Sequence, residues 1–117
     1  MVVEDDEVTR TAYCRLFVLK GADVICASSV GQAMAEVRRG PIDAVLLDLW
    51  LGDGSGETFL IESRAAGFRG RIVVHSGACH DRLDADRLLA MGADAVLPKP
   101  SAFADIWSAM IPDAVHR

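Results

Sequence analysis

Hydrophobic positions along the chain fall into two alternating patterns, short apolar runs and longer stretches with helical spacing. The apolar runs are typical of buried strands and lie at residues 1–3, 23–27, 42–47, 71–75 and 93–97. Between and after these runs, apolar residues recur three and four positions apart, which is typical of helices packed on a core. The pattern predicts five repeats of a strand followed by a helix.

Small polar residues and glycines mark the expected helix ends. Ser29 is expected to cap the second helix and Ser101 the last, because a hydroxyl there can accept a bond from a free backbone N–H. Gly21 and Gly92 are expected to end the first and fourth helices. The apolar positions of the first helix are Val8, Ala12, Leu16 and Leu19. Those of the last are Phe103, Ile106, Trp107, Met110 and Ile111.

Strands that are apolar on both faces and separated by helices predict a parallel sheet covered on each side. Right-handed crossovers then give a doubly wound α/β sandwich. In such folds the functional crevice lies at the carboxyl ends of the strands, where the strand order reverses. The residues that follow each strand are therefore the first candidates for function.

Length and charge limit the possible functions. The 117 residues are enough for one domain, expected to span 1–117 with 112–117 as a tail. Acidic residues outnumber basic ones by 17 to 12, and no segment concentrates Lys or Arg, which argues against nucleic-acid binding by this domain alone. No apolar stretch approaches the about 18 residues of a membrane-spanning helix, and no signal peptide is evident.

The three cysteines, Cys14, Cys26 and Cys79, are odd in number and widely spaced. We interpret them as two small core residues and one loop thiol. This pattern argues against a disulfide framework and fits a reducing cytoplasm. His75, Cys79 and His80 lie close in sequence, but a fourth ligand for a soft metal is not evident. His75 is expected to pack within its strand.

Carboxylates, a hydroxyl and an ammonium follow four of the predicted strands. Residues 4–7 are all acidic and follow the first strand, Asp48 follows the third, Ser76 the fourth and Lys99 the fifth. Carboxylates in one pocket repel each other, and a hard cation such as Mg²⁺ relieves that repulsion. A carboxylate beside the metal can attack a phosphoryl donor, while a lysine and a hydroxyl compensate charge on the transferred group. This set suits phosphoryl transfer to an aspartate.

These motifs together resemble the response-regulator receiver domain of two-component signalling. Residues 2–7 (VVEDDE) are similar to the family's acidic motif, 45–49 (VLLDL) to its phosphoacceptor strand, 73–77 (VVHSG) to its fourth strand and 98–100 (PKP) to its Lys-Pro signature. Asp48 lies 43 residues after Asp5, and Lys99 lies 51 residues after Asp48. The resemblance covers essentially the whole chain and implies a flavodoxin-like (βα)₅ sandwich with strand order 2-1-3-4-5.

The resemblance implies a role for each matching position. Asp48 would be the phosphorylation site and Asp5 the direct Mg²⁺ ligand, with Glu4 acting mainly through a metal-bound water and the Trp50 carbonyl completing the shell. Asp6 is a less favoured ligand. Ser76 would be the hydroxyl that moves to the phosphoryl group, and Lys99 would pair with that group. The Lys99–Pro100 peptide bond would be cis.

Three departures from the family pattern change what we expect. Val96 stands where the family usually has an aromatic residue that swings inward on activation. Gly52 replaces a common proline, so the loop with Gly54 and Gly56 is expected to be flexible. The first strand is expected to be short. Trp50 and Ala78 stand at the two positions that flank the pocket in the family, and a bulky Trp50 would shield Asp48 from attacking water.

The leading hypothesis is a phosphorylatable switch that receives its phosphoryl group from a histidine kinase or phosphotransfer protein. It would act through contacts with a downstream protein or effector domain, either as a stand-alone regulator or as the receiver of a longer chain such as a hybrid kinase. It would catalyse only its own phosphorylation and dephosphorylation. The alternative is a receiver-like interaction module that works without phosphate.

Two further functions on the same fold are minor alternatives. A flavodoxin-type cofactor site would need a phosphate loop after the first strand, where four acids would repel phosphate. A haloacid-dehalogenase-type phosphatase would need a second Asp two residues after Asp48, where Trp50 stands.

Overall fold

The computed structural model describes residues 1–77 and 81–112. Their strands are β1 (Val2–Val3), β2 (Cys26–Ala27), β3 (Ala44–Leu47), β4 (Trp50–Leu51), β5 (Gly54–Ser55), β6 (Arg71–Ser76) and β7 (Ala95–Pro98). The helices are α1 (Glu7–Leu19), α2 (Val30–Arg39), α3 (Gly56–Ala65), α4 (Arg82–Ala90) and α5 (Phe103–Met110). Ala78, Cys79 and His80 lie outside the described residues, as does 113–117 of the expected tail.

The predicted parallel sheet is confirmed. Its strands run in the order β2-β1-β3-β6-β7, which is the flavodoxin-like order once the additional hairpin β4–β5 is set aside. All four neighbouring pairs are parallel. Strand β1, which lies between β2 and β3, has only two residues, and Val2 lies beside both Cys26 and Leu46.

Side chains alternate between two cores, one on each face of the sheet. Val3, Val45 and Leu47 join the larger core with α2, α3 and α4. Their sequence neighbours Val2 and Leu46 point to the opposite face and pack with α1 and α5. Successive residues of a strand point to opposite faces, so continuously apolar strands fit a sheet covered on both sides.

Helix α1 forms as predicted, but its predicted apolar stripe faces solvent. Val8 is 79% and Leu19 82% exposed, whereas Phe17 is buried with Tyr13 packed beside it. Both faces of this helix carry apolar residues, and the packing partners of Phe17 on α5, Phe103 and Trp107, determine which face is buried.

Two other local predictions have different outcomes. Ser29 caps α2 as predicted, accepting a hydrogen bond from the Gln32 N–H at 3.1 Å. Ser101 does not cap α5, because that helix begins after Ala102 and the Ser101 hydroxyl instead donates to the Pro98 carbonyl. Among the described residues, no helix combines the length and apolar character that crossing a membrane requires.

The interpretation of Cys14 and Cys26 as separate core residues is wrong. Their Sγ atoms form a disulfide that joins α1 to β2. Their Cα atoms are 6.9 Å apart although 12 positions separate them in sequence. The pairing depends on the packing of α1 beside the edge strand β2, which the cysteine spacing does not contain.

Candidate functional site

The predicted site residues come together at the carboxyl edge of the sheet. Glu4 follows β1, Asp48 follows β3, Ser76 ends β6 and Lys99 follows β7. These four strands are consecutive neighbours in the sheet. Parallel strands end at the same edge, so residues far apart in sequence meet there.

Lys99 is the centre of the charged cluster. Its Nζ lies 2.8 Å from Glu4 Oε2 and 3.4 Å from Asp48 Oδ2. Glu4 is 5% and Asp48 7% exposed, so both carboxylates are largely withdrawn from water. The peptide bond from Lys99 to Pro100 is cis, which confirms that prediction.

Burial and charge shift two of the titrating groups in this cluster. Burial raises the pKa of Glu4 and the neighbouring charge of Asp48 adds to that shift, while Lys99 opposes it. Burial works to lower the pKa of Lys99, but the hydrogen bond from its ammonium to Glu4 and the charge of Asp48 outweigh it and leave that pKa raised. The ammonium therefore stays charged at neutral pH.

Glu4, Asp5 and Asp48 are arranged as a set of candidate metal ligands. Each offers one carboxylate oxygen, and these oxygens lie within 4.8 Å of one another. Asp5 is exposed while the other two are buried, which leaves the cluster open on one side. An all-oxygen set with an open side fits Mg²⁺, which retains coordination positions for water or phosphate oxygens.

Asp6 belongs to the helix rather than to this ligand set. It is the N-cap of α1, and its carboxylate accepts a hydrogen bond from the Thr9 N–H at 2.9 Å. The Thr9 hydroxyl and N–H lower the pKa of Asp6. The carboxylate of Asp6 is therefore engaged at the N-terminus of α1.

Arg10 is a residue of this site that the sequence analysis missed. Its guanidinium donates to the backbone carbonyls of Glu4, at 3.0 Å, and Asp5, at 3.3 Å. These bonds tie the acidic segment to the first turns of α1. An arginine that soon follows four acidic residues was the signal available in the sequence.

The segment after Asp48 forms a hairpin, where the sequence predicts a flexible loop. Trp50 pairs with Ser55 and Leu51 with Gly54. The Trp50 N–H lies 3.3 Å from Asp48 Oδ1, and the Trp50 side chain is 70% exposed. An open cavity of about 510 Å³ lies beside it and is lined by Asp48, Trp50 and Asp5 together with Asp84 and Arg87 of α4.

Ser76 and its neighbour His75 are both buried in β6. Ser76 is fully buried, and its carbonyl accepts a hydrogen bond from the Lys99 N–H at 3.3 Å. His75 is 2% exposed and packs edge-on against Tyr13 of α1, as expected for a strand residue. Val96 packs against the larger core at the position where the family usually has an aromatic residue.

Comparison with known proteins identifies the family. The family model for the response regulator receiver domain matches residues 1–111. The chain is 34% identical to the swarming motility regulation protein RssB of Serratia marcescens, covering all of this chain and 52% of that protein. It is 30% identical to the acid tolerance regulatory protein ActR of Sinorhizobium medicae, covering 95% of this chain and 57% of that protein. The chain thus spans about half the length of these curated relatives.

Comparison with a solved structure indicates the same family. A response regulator from Burkholderia pseudomallei, with a phosphorylated aspartic acid, a calcium ion and citrate, is 25% identical and superposes with a TM-score of 0.86 over 98% of this chain and 67% of that one. The fold, the sheet order and the family match all agree. The chain therefore belongs to the response regulator receiver domains of two-component signalling.

Proposed function

We propose that this receiver domain is a signalling switch that accepts a phosphoryl group on Asp48 from a histidine kinase or phosphotransfer protein. The observation that carries this proposal is the contact of the Lys99 ammonium with both Glu4, at 2.8 Å, and Asp48, at 3.4 Å. A buried carboxylate beside a fixed cation and two further acids suits capture of a phosphoryl group.

In the proposed site, Asp5 and Asp48 would hold Mg²⁺ directly, Glu4 would bind it mainly through water and the Trp50 carbonyl would provide a further oxygen ligand. The carboxylate oxygens within 4.8 Å of one another support this assignment. When bound, Mg²⁺ supplies positive charge that offsets the charge of the transferred phosphoryl oxygens.

The proposed reaction uses side chains that already lie at the carboxyl edge. An Asp48 oxygen attacks phosphorus, forming an O–P bond as the P–N bond of the donor phosphohistidine breaks, and the imidazole leaves. Lys99 pairs with one phosphoryl oxygen, and the Ser76 hydroxyl donates to another. Water later attacks the acyl phosphate, which releases inorganic phosphate and restores the Asp48 carboxylate.

We propose that the phosphorylated state is transmitted by contacts with a downstream protein or effector domain in the cytoplasm. The receiver domain either stands alone or belongs to a longer chain. The relative from Burkholderia pseudomallei, whose structure contains a phosphorylated aspartic acid and a calcium ion, supports the choice of site chemistry.

A receiver-like module that works without phosphate is the second candidate. Val96, in place of an activating aromatic residue, is the observation that favours it. Beryllofluoride with Mg²⁺, a mimic of the acyl phosphate, separates the two: a phosphate-dependent switch changes its spectrum or partner binding, and a phosphate-independent module does not.

The decisive test is phosphorylation by acetyl phosphate and Mg²⁺, followed by intact-protein mass spectrometry. We expect the parent to gain one phosphoryl group and Asp48→Asn to gain none. Asp23→Asn is the matched control, because Asp23 is an exposed carboxylate that lines a different cavity, together with Pro41 and Asp43. Equal labelling of the parent and Asp48→Asn would contradict the proposal.

A further inference from the structure

The hairpin β4–β5 begins two residues after Asp48 and ends at the start of α3. Its ladder consists of only two residue pairs, Trp50 with Ser55 and Leu51 with Gly54. An isolated two-stranded ladder is marginal in water. The position of the hairpin must therefore depend on contacts outside it.

Asp53, at the tip of the hairpin, makes such contacts with α2. Its Oδ1 accepts a hydrogen bond from the Val30 N–H at 2.9 Å, and its Oδ2 accepts one from the Gly31 N–H at 3.1 Å. These are the first two residues of α2, where free N–H groups and the helix dipole favour an anion. The two bonds also lower the pKa of Asp53, so it stays ionised at neutral pH.

Helix α2 already has an N-cap of its own. Ser29 accepts a hydrogen bond from Gln32 N–H, which is a different donor from those that Asp53 uses. The bonds to Asp53 therefore add a connection between two segments 22 and 23 positions apart. Because Ser29 already caps α2, the main effect of the two bonds to Asp53 is to hold the tip of the hairpin in place.

The other end of the hairpin is part of the phosphorylation site. The Trp50 N–H lies 3.3 Å from Asp48 Oδ1, and Trp50 lines the cavity beside Asp5 and Asp48. Leu51 is buried in the larger core and provides the second anchor. Movement of the hairpin tip would be passed along these few residues to the main chain of Trp50.

We propose that Asp53 is a positioning residue for the phosphorylation site. By holding the hairpin on the N-terminus of α2, it keeps the Trp50 main chain beside Asp48 in the place that cation binding requires. This inference rests on the proposed function, in which the Trp50 carbonyl contributes to the Mg²⁺ shell. Asp53 lies outside the charged cluster and yet sets the affinity of that cluster for Mg²⁺.

The test is a Mg²⁺ titration followed by Trp50 fluorescence in a Trp107→Phe background, so that Trp50 is the remaining tryptophan. We expect Asp53→Ala to raise the Mg²⁺ dissociation constant about threefold to tenfold. Asp53→Asn should recover part of the affinity, because an amide oxygen can still accept one of the two bonds. Circular dichroism checks that each variant is folded.

Ser29→Ala is the matched control. It removes a cap from the same helix but leaves the contacts of Asp53 in place, so it should lower the melting temperature yet change the Mg²⁺ dissociation constant less than twofold. Equal constants for the parent and Asp53→Ala, or equal effects of Asp53→Ala and Ser29→Ala, would overturn the inference alone. A parent that binds no Mg²⁺ by fluorescence or calorimetry would overturn the proposed function together with it.

Discussion

Lys99 donates its shorter hydrogen bond to Glu4, at 2.8 Å, across 95 positions of sequence. The ammonium thus lies closer to Glu4 than to Asp48, at 3.4 Å, and both acids belong to the proposed metal site. In this state Lys99 offsets part of the negative charge that attracts a cation. We therefore expect the same lysine to oppose Mg²⁺ binding while it prepares the site for a phosphoryl group.

Lys99→Ala should bind Mg²⁺ about threefold to tenfold more tightly than the parent, because a charge that repels the cation is removed. Its labelling by acetyl phosphate should fall at least tenfold, because the phosphoryl oxygens lose a partner. Trp50 fluorescence measures the first effect and mass spectrometry the second. Lys20→Ala, which removes a lysine stacked on Trp107, is the control. Weaker Mg²⁺ binding by Lys99→Ala would show that this charge argument is wrong.

Gly56→Ala should destabilise the segment around Asp48. A Cβ at this position would lie 2.2 Å from the Asp48 carbonyl oxygen and 2.8 Å from Leu49 Cα, and backbone atoms cannot turn aside. We expect a loss of about 2 kcal/mol or more in the free energy of unfolding, measured with denaturant. Gly52→Ala is the control, because a Cβ there meets nothing within 4 Å. Similar stabilities of the two variants would contradict this reasoning.

His75 should make the protein less stable as the pH falls below neutral. Burial, aided by the charge of Lys99, lowers the pKa of His75 from 6.5 to about 4. Between these pH values the imidazole of His75 binds a proton in the unfolded chain but not in the folded protein. The stabilisation is therefore present above pH 6.5 and is lost as the pH falls toward 4. Over this pH range His75 should cost the protein about 3 kcal/mol in the free energy of unfolding.

We expect the parent to lose about 2 kcal/mol more than His75→Phe when denaturant unfolding is compared at pH 7 and pH 5. Phenylalanine keeps a ring against Tyr13 but does not titrate. Parallel pH profiles for the two proteins would mean that folding does not lower the pKa of His75.

Trp50→Ala should shorten the lifetime of the phosphorylated state about threefold to tenfold. Trp50 lines the cavity beside Asp48 and is 70% exposed, so we expect its indole to hinder the approach of water to that carboxylate. The decay of phosphorylated protein, followed by mass spectrometry after acetyl phosphate is removed, measures this lifetime. Trp107→Phe serves as the control, because Trp107 packs in the core beside Phe17. Equal rates of decay of the phosphorylated Trp50→Ala variant and the phosphorylated parent would show that Trp50 does not shield Asp48 from water.

Reduction of the Cys14–Cys26 disulfide should lower the free energy of unfolding by about 2 to 3 kcal/mol. The bond links residues 12 positions apart and restricts the unfolded chain. Denaturant unfolding with and without a thiol reductant measures the change, and a Cys14→Ser, Cys26→Ser double variant should not respond to the reductant. Mg²⁺ affinity should stay the same, since neither cysteine belongs to the charged cluster. An oxidised protein that gains nothing over the reduced one would contradict this stabilising role.

The sequence alone determined the alternation of strands and helices, the doubly wound fold and the candidate residues of the site. These depend on short-range rules: apolar periodicity, capping residues and the position of polar residues directly after strands. Glu4, Asp48, Ser76 and Lys99 could be placed at one edge because parallel strands of such a sheet all end there.

Only the tertiary structure decided which face of α1 is buried, which cysteines pair and which groups hold the hairpin. Phe17 rather than Val8 is buried because α5 packs there, and Asp53 reaches α2 because the fold brings the two segments together. The packing of separate strands also places the Lys99 ammonium closer to Glu4 than to Asp48. Periodicity describes neighbours along a single element, whereas these contacts depend on how separate elements pack against each other.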